Sequence, residues 1–208
     1  MTEFVYENIR LINGDCMTYM KDLPDNAFDL AIVDPPYGIN INSNMGLKKG
    51  QRKRHVEKKW DLCIPPEEYF FELMRVSQNQ IIWGGQYFPL GISKCVIWWE
   101  KKTPEGMSFS SGELAWTSFD GANKSYELRN VTGDKIHPTQ KPVALYKWLL
   151  KNYAKPDMKI IDTHGGSMSS MIACYDFGCE AVGIEIDQEY YNAAVKRFKN
   201  HVAQQKLF

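Results

Sequence analysis

Short apolar runs recur along the chain, and turn or charged residues separate them. Seven such runs are rich in β-branched or aromatic residues: 9–12, 30–33, 80–83, 95–99, 114–119, 158–161 and 181–186. Helical patterns fall at 16–22, 66–78, 141–153, 168–177 and 188–204. Strand-like runs that alternate with helical stretches predict an α/β fold. The expected form is Rossmann-like and doubly wound, a mostly parallel seven-stranded sheet with helices on both faces. Several helix starts carry local signals. Pro65 and Pro66 precede Glu67 and Glu68, which suit the first turn and its positive end. Lys141-Pro142 opens another helix, and Asp187 can cap the last. Residues 38–61 and 103–135 resist regular assignment, although the 114–119 run lies inside the second stretch. Long irregular loops in a compact domain are usually functional or disordered.

Length and composition narrow the class. The 208 residues suit one domain. With 44% hydrophobic and 24% charged residues the chain is ordinary for a globular protein. It has no apolar run of membrane-spanning length, and its start lacks the pattern of a secretory signal. Five scattered cysteines without a C-x-x-C motif read as reduced thiols, which implies the cytoplasm. The four histidines lie far apart, so no metal site is expected. Net charge is zero, but residues 48–59 hold seven basic side chains against Glu57 alone. Lys48, Lys49, Arg52, Lys53 and Arg54 belong to that cluster, and such clusters neutralise phosphates. A solvated surface loop is the alternative.

Asp34-Pro35-Pro36-Tyr37-Gly38 follows directly on the 30–33 run. That places an acid, two prolines and an aromatic at the carboxyl edge of a buried strand, where open α/β sheets bind ligands. Proline has no N–H, so the loop is rich in acceptors and poor in donors. Asp34 and the Pro35 carbonyl can accept two hydrogens of an amino group, and Tyr37 offers a flat face. A second constellation runs strand, Asp162, Thr163, His164, Gly165, Gly166, Ser167, helix. About twenty residues later a further strand ends in Glu185, placed to take ribose hydroxyls. The phosphate fingerprint of dinucleotide sites is absent, and Asp162 before the glycines suits a cationic amino group. Asp15 beside Cys16 could accept from an adenine amino group or simply cap a helix. His137-Pro138-Thr139-Gln140-Lys141-Pro142 reads as a rigid lead into a helix.

Together these segments resemble the DNA amino-methyltransferases that modify adenine N6 or cytosine N4, in the subgroup whose catalytic loop precedes its cofactor loop. Asp34-Pro35-Pro36-Tyr37 is similar to the catalytic motif of that family. His137 through Pro142, with Thr139 and Lys141, is similar to the segment at the methionine end of the cofactor. Asp162, His164, Gly166 and Ser167 resemble the cofactor loop, Glu185 its ribose-binding acid, and Asn13-Gly14-Asp15-Cys16 the segment beside the cofactor adenine. Trp83-Gly84-Gly85 resembles a stretch that follows the next strand. The resemblance implies S-adenosylmethionine as cofactor, double-stranded DNA as partner and adenine N6 as target. N4-cytosine methylation is the alternative. A cofactor- or DNA-binding protein without catalysis, or a dehydrogenase, are readings from further away. His164 stands where the family usually has Phe and Met168 where it has another Gly, two positions that bear on cofactor affinity. Residues 39–61 would contact DNA, with Trp60 a second aromatic near the opening. Residues 103–135 would read a short target sequence, alone or with a second subunit of a homodimer.

Overall fold

A computed structural model describes residues 1–39, 61–103, 110–130 and 135–205. Nine strands are assigned among them: β1 (Thr2–Tyr6), β2 (Ile9–Asn13), β3 (Phe28–Val33), β4 (Ser77–Trp83), β5 (Ile97–Glu100), β6 (Gly112–Thr117), β7 (Lys124–Glu127), β8 (Lys159–Asp162) and β9 (Glu180–Glu185). Five α-helices accompany them: α1 (Cys16–Lys21), α2 (Glu67–Val76), α3 (Val143–Tyr153), α4 (Ser169–Phe177) and α5 (Gln188–Gln205). The strands form one sheet in the order β1-β2-β9-β8-β3-β4-β6-β5-β7.

The seven-strand expectation is therefore corrected to nine, in a mixed sheet. Strands β2, β9, β8, β3 and β4 run parallel. Strands β1 and β6 pair antiparallel with their neighbours, and β7 pairs parallel with β5. The two unforeseen strands are the edges. Thr2–Tyr6 and Lys124–Glu127 are short, mixed in polarity and at most half-buried. An edge strand buries little and needs no apolar run, so periodicity does not report it. The same finding gives residues 112–117 and 124–127 regular structure inside the stretch expected to be irregular.

The central strands are buried on both faces. In β3, Leu30 and Ile32 join the core beneath α3, α4 and α5, while Ala31 and Val33 join the core beneath α1 and α2. Successive side chains of a strand point to opposite faces, so one apolar run feeds two cores. Helix α2 buries Tyr69, Phe70, Leu73 and Val76 along one stripe, the spacing of an amphipathic helix. Its Arg75 donates to the carbonyls of Met20 (2.9 Å) and Leu23 (2.7 Å) at the end of α1. Truncating a buried residue such as Leu73 to alanine would cost about 2–5 kcal/mol.

Chain direction across the sheet reverses between β3 and β8. From β3 the chain proceeds outward to β4 on one side, and from β8 to β9 on the other. Such a switch point leaves a crevice at the carboxyl ends of the strands. Asp34 follows β3 there and Asp162 ends β8. The loop after β8 reaches α4 through Met168, whose φ of 53° is left-handed. The Met168 side chain is fully buried. A Cβ built on Gly183 of β9 would lie 2.5 Å from Met168 Sδ and 2.6 Å from Met171 Cγ. The bulk of Met168 is thus taken up by a glycine on the neighbouring strand. Gly183→Ala is expected to destabilise the fold by about 1–3 kcal/mol through overpacking. Met168→Gly should recover part of that loss in the double variant. Chemical denaturation checks this, and strictly additive effects would contradict it.

Candidate active site

A cavity of about 350 Å³ lies at the switch point. Of the residues expected to hold a cofactor, His137, Thr139, Lys141, His164, Gly166, Ser167 and Glu185 line it. Asp34 and Pro36 line it from the opposite side. Asp34 is also part of an adjoining pocket of about 40 Å³, with Pro35, Tyr37, Asp61, Glu113 and Lys141. The Asp34 carboxylate thus stands at the wall between the two spaces.

Three expected cofactor residues are not on the wall of the larger cavity. Asp15 caps α1, accepting from the Thr18 backbone N–H (2.8 Å) and hydroxyl (2.7 Å). That is the helix-capping alternative, met by a short acid that satisfies an orphan donor. Cys16 opens the same helix and is half-buried. Burial, then the Asp15 charge, pushes its thiol up to about 12, so it is a neutral group. Asp162 is turned toward its own loop. It accepts from the His164 N–H (3.1 Å) and the Ser170 hydroxyl (2.5 Å). Burial raises it to about 7 against those two donors. Asp162 therefore shapes the glycine turn from beneath.

The glycine turn is tied to β9. The Gly165 N–H donates to the Ile184 carbonyl (2.7 Å) and the Gly166 N–H to Glu185 Oε2 (2.8 Å). The Asp187 N–H donates to Glu185 Oε1 (2.7 Å). Two backbone donors fix the carboxylate, whose oxygens are acceptors of the kind that ribose hydroxyls require. Asn13 donates to the carbonyls of Glu185 (2.8 Å) and Ile186 (3.2 Å), which ties the end of β2 to that of β9. Arg197 of α5 donates to the Ser167 carbonyl (2.8 Å) and Ser169 Oγ (2.9 Å). His164 Nδ1 lies 3.0 Å from Thr163 Oγ1, and its ring packs edge-on against Tyr69. Burial lowers His164 to about 4, so it offers a neutral flat ring near pH 7. His137, whose ring lies beside Gly166, packs edge-on against Tyr190. This donor and acceptor set, a fixed acid with flat rings on the cavity wall, fits a cationic nucleoside in a volume typical of small-molecule sites.

On the other side of the wall, four charged groups alternate in sign. Asp34 Oδ2 takes a charged hydrogen bond from Lys141 Nζ at 2.5 Å. Lys141 also pairs with Glu113 Oε2 at 2.9 Å, and the second Glu113 oxygen pairs with Lys101. The Lys141 side chain is 4% exposed and that of Asp34 17%. For Glu113, burial works upward, but Lys141 and Lys101 outweigh it and hold the carboxyl at about 2. For Lys141, burial works downward, and Asp34 and Glu113 together raise it, so the ammonium persists. Asp34 is raised by burial and by Glu113, against the pull of Lys141. It is the weaker acid of the two that share one cation.

Tyr37 donates its hydroxyl to Asp34 Oδ1 (2.6 Å) and stacks on Tyr87 with centroids 5.1 Å apart. Burial, then the Asp34 and Glu113 charges, holds its phenol well above the ordinary range, so it stays a donor. Gly84 has φ +70°, and a Cβ there would meet the Tyr37 ring at 2.2 Å. A glycine is needed at that point for both reasons. Asp61 Oδ1 accepts from the N–H groups of Tyr37 (2.8 Å) and Gly38 (3.1 Å), which pins the loop.

Sequence reasoning missed Glu113, Asp61 and Tyr87, and it placed Lys141 with the cofactor alone. Glu113 lies in a strand whose alternation gives no sign that one acid faces a distant lysine. Asp61 carries no motif. Lys48, Lys49, Arg52, Lys53, Arg54 and Trp60 lie outside the described residues. Among the described residues, no group of three or more His, Cys, Asp or Glu could hold a metal ion, and no helix is long and apolar enough to cross a membrane.

Comparison with known proteins accords with this geometry. The sequence matches the N6/N4 DNA methylase profile over residues 82–196. YubD of Escherichia coli (strain K12), described as a methylase, is 25% identical over 90% of this chain and 89% of its own length. The type II methyltransferase M.HinfI of Haemophilus influenzae is 21% identical over 91% of this chain and 68% of its own. Two solved structures share the fold. A complex of M1.HpyAVI with SAM superposes with a TM-score of 0.64 at 21% identity, covering 91% of this chain and 99% of that one. The cytosine-N4-specific PvuII DNA methyltransferase gives 0.63 at 12% identity, covering 93% and 91%. A profile that spans more than half of the sequence, and a cavity walled by the acid of a proline loop, lead to one assignment: the chain belongs to the N6/N4 DNA methylase family.

Proposed function

We propose that this DNA methylase transfers the methyl group of S-adenosylmethionine to the N6 amino group of an adenine turned out of duplex DNA. The observation that carries the reading is the position of Asp34 on the wall shared by the two spaces. The larger one takes the cofactor, with Glu185 on the ribose hydroxyls and His164 beside the rings. When bound, the cofactor supplies an electrophilic methyl on a sulfonium. The smaller one, little more than the volume of a water molecule, must open as the base enters.

The exocyclic nitrogen is a poor nucleophile because its lone pair is delocalised into the ring. Asp34 and the Pro35 carbonyl accept its two hydrogens and draw it toward tetrahedral geometry. The lone pair then faces the methyl carbon. Glu185 and His164 would hold the cofactor so that its sulfonium could give up the methyl to that nitrogen. The amine proton leaves to the carboxylate and on to water. This is positioning and electrostatics without a covalent enzyme intermediate. Tyr37 stacks on the extruded base. The basic segment 48–59 would hold phosphates.

Asp34→Asn is expected to lower methyl transfer to duplex DNA by roughly a hundredfold or more, while S-adenosylmethionine binding by calorimetry stays within a few-fold. Transfer at the wild-type rate would refute the role. Nucleoside mass spectrometry of the DNA should find N6-methyladenine. N4-methylcytosine is the second reading, since the PvuII enzyme, which shares the fold, is cytosine-N4-specific. Neutralising Arg52, Lys53 and Arg54 together should flatten the salt dependence of DNA affinity; an unchanged slope would return that segment to a plain solvated loop.

A further inference from the structure

We infer that Glu113 is a positioning residue for methyl transfer: it shares the Lys141 ammonium with Asp34, so that the Asp34 carboxylate keeps negative charge with which to meet the charge that develops on the target amine. The inference rests on the function proposed above. Glu113 belongs to β6, which pairs with β4 and β5, and its side chain reaches the cation beside the loop that follows β3. Its carboxylate is bracketed by Lys101 and Lys141. A buried carboxylate is costly unless cations compensate it, and here two do.

Lys141 already touches Asp34 at 2.5 Å; without Glu113 that ammonium would have one anion to face, and its charge would fall on Asp34 alone. Asp34 already accepts the Tyr37 hydroxyl on its other oxygen. With Glu113 present the sequence Lys101, Glu113, Lys141, Asp34 alternates in sign and ends on an anion. During transfer positive charge moves from sulfur to the amine nitrogen, and that charge becomes the next member of the series. The ammonium is held in place by geometry as well as charge, lying over the indole of Trp83 at 5.3 Å from the ring centre. Tyr37 on its own loop also acts on Asp34, and the Asp34 charge reaches Tyr146 on α3 and Asp162 at the end of β8. The Glu113 carboxylate is the one whose removal strengthens the hold of Lys141.

The test is a pair of measurements on the full chain. Carbon-detected NMR titration follows the Asp34 carboxyl in wild type, Glu113→Gln and Lys101→Met, and single-turnover methyl transfer to duplex DNA is followed across pH. In Glu113→Gln the Asp34 midpoint and the acid limb of the rate profile should both move to lower pH. The plateau rate should fall on the order of tenfold, less than for a group that touches the reacting atoms. Affinity for S-adenosylmethionine should change by less than about twofold. Lys101→Met, at the outer end of the series, should move the midpoint the other way, and it serves if the first variant fails to fold. Glu113→Asp should restore part of the rate. An unmoved Asp34 midpoint in both variants would overturn the inference. So would a lower rate with an unmoved acid limb, the mark of a merely structural role. A wild-type protein that methylates no DNA would refute the proposed function instead, and the carboxyl titration would still decide the charge coupling.

Discussion

The contact between Asp34 and Lys141 joins parts of the chain that lie 107 residues apart. One partner follows the central strand β3 and the other leads into α3. Glu113 enters the same cluster from β6, on the far side of β4. Removing both charges from water is costly, and their attraction repays it only with close geometry and further partners. Those partners are present. The Tyr37 hydroxyl, Glu113 and Lys101 complete the set. Loss of one member from such a pair costs about 3–5 kcal/mol, because the other is left buried and uncompensated. The cluster therefore fixes the proline loop in space before any ligand arrives.

The rest of the fold holds the two sides of the crevice at a set distance from that cluster. Parallel strands with apolar runs place β3 and β8 side by side, and the reversal of chain direction opens the space between their ends. Close backbone approaches then tune the walls. Gly84 lets the Tyr37 ring lie against the turn after β4, and Gly183 takes the Met168 side chain that would otherwise crowd the cofactor loop. Asp61 and Arg197 act from outside each loop, one on the backbone of Tyr37 and Gly38, the other on the Ser167 carbonyl.

Residues that obey a local rule could be read from sequence. The runs behind β3, β4, β8 and β9 are apolar because both faces of those strands are covered. The acids and glycines at their ends follow from the position of the crevice. Asp15 could be read either way, and the structure shows it capping α1. What could not be read depends on distant pairing. Thr2–Tyr6 and Lys124–Glu127 become strands because a neighbour offers a free edge, without an apolar pattern of their own. Lys141 sits in a motif that points to the cofactor, yet its ammonium is claimed by Asp34 and Glu113. No spacing rule links residues 34, 113 and 141. Asp162 carries no local sign that its carboxylate accepts from the His164 N–H and, across the turn, from the Ser170 hydroxyl of α4.

The most direct test of the account is a crystal structure of the protein with duplex DNA and a non-transferable analogue of S-adenosylmethionine. It should place an extruded adenine with its amino group within hydrogen-bonding distance of Asp34, and the analogue in the cavity lined by Glu185 and His164. Lys141 should remain paired with Glu113. An amino group held elsewhere, with Asp34 still closed on Lys141 and Tyr37, would contradict it.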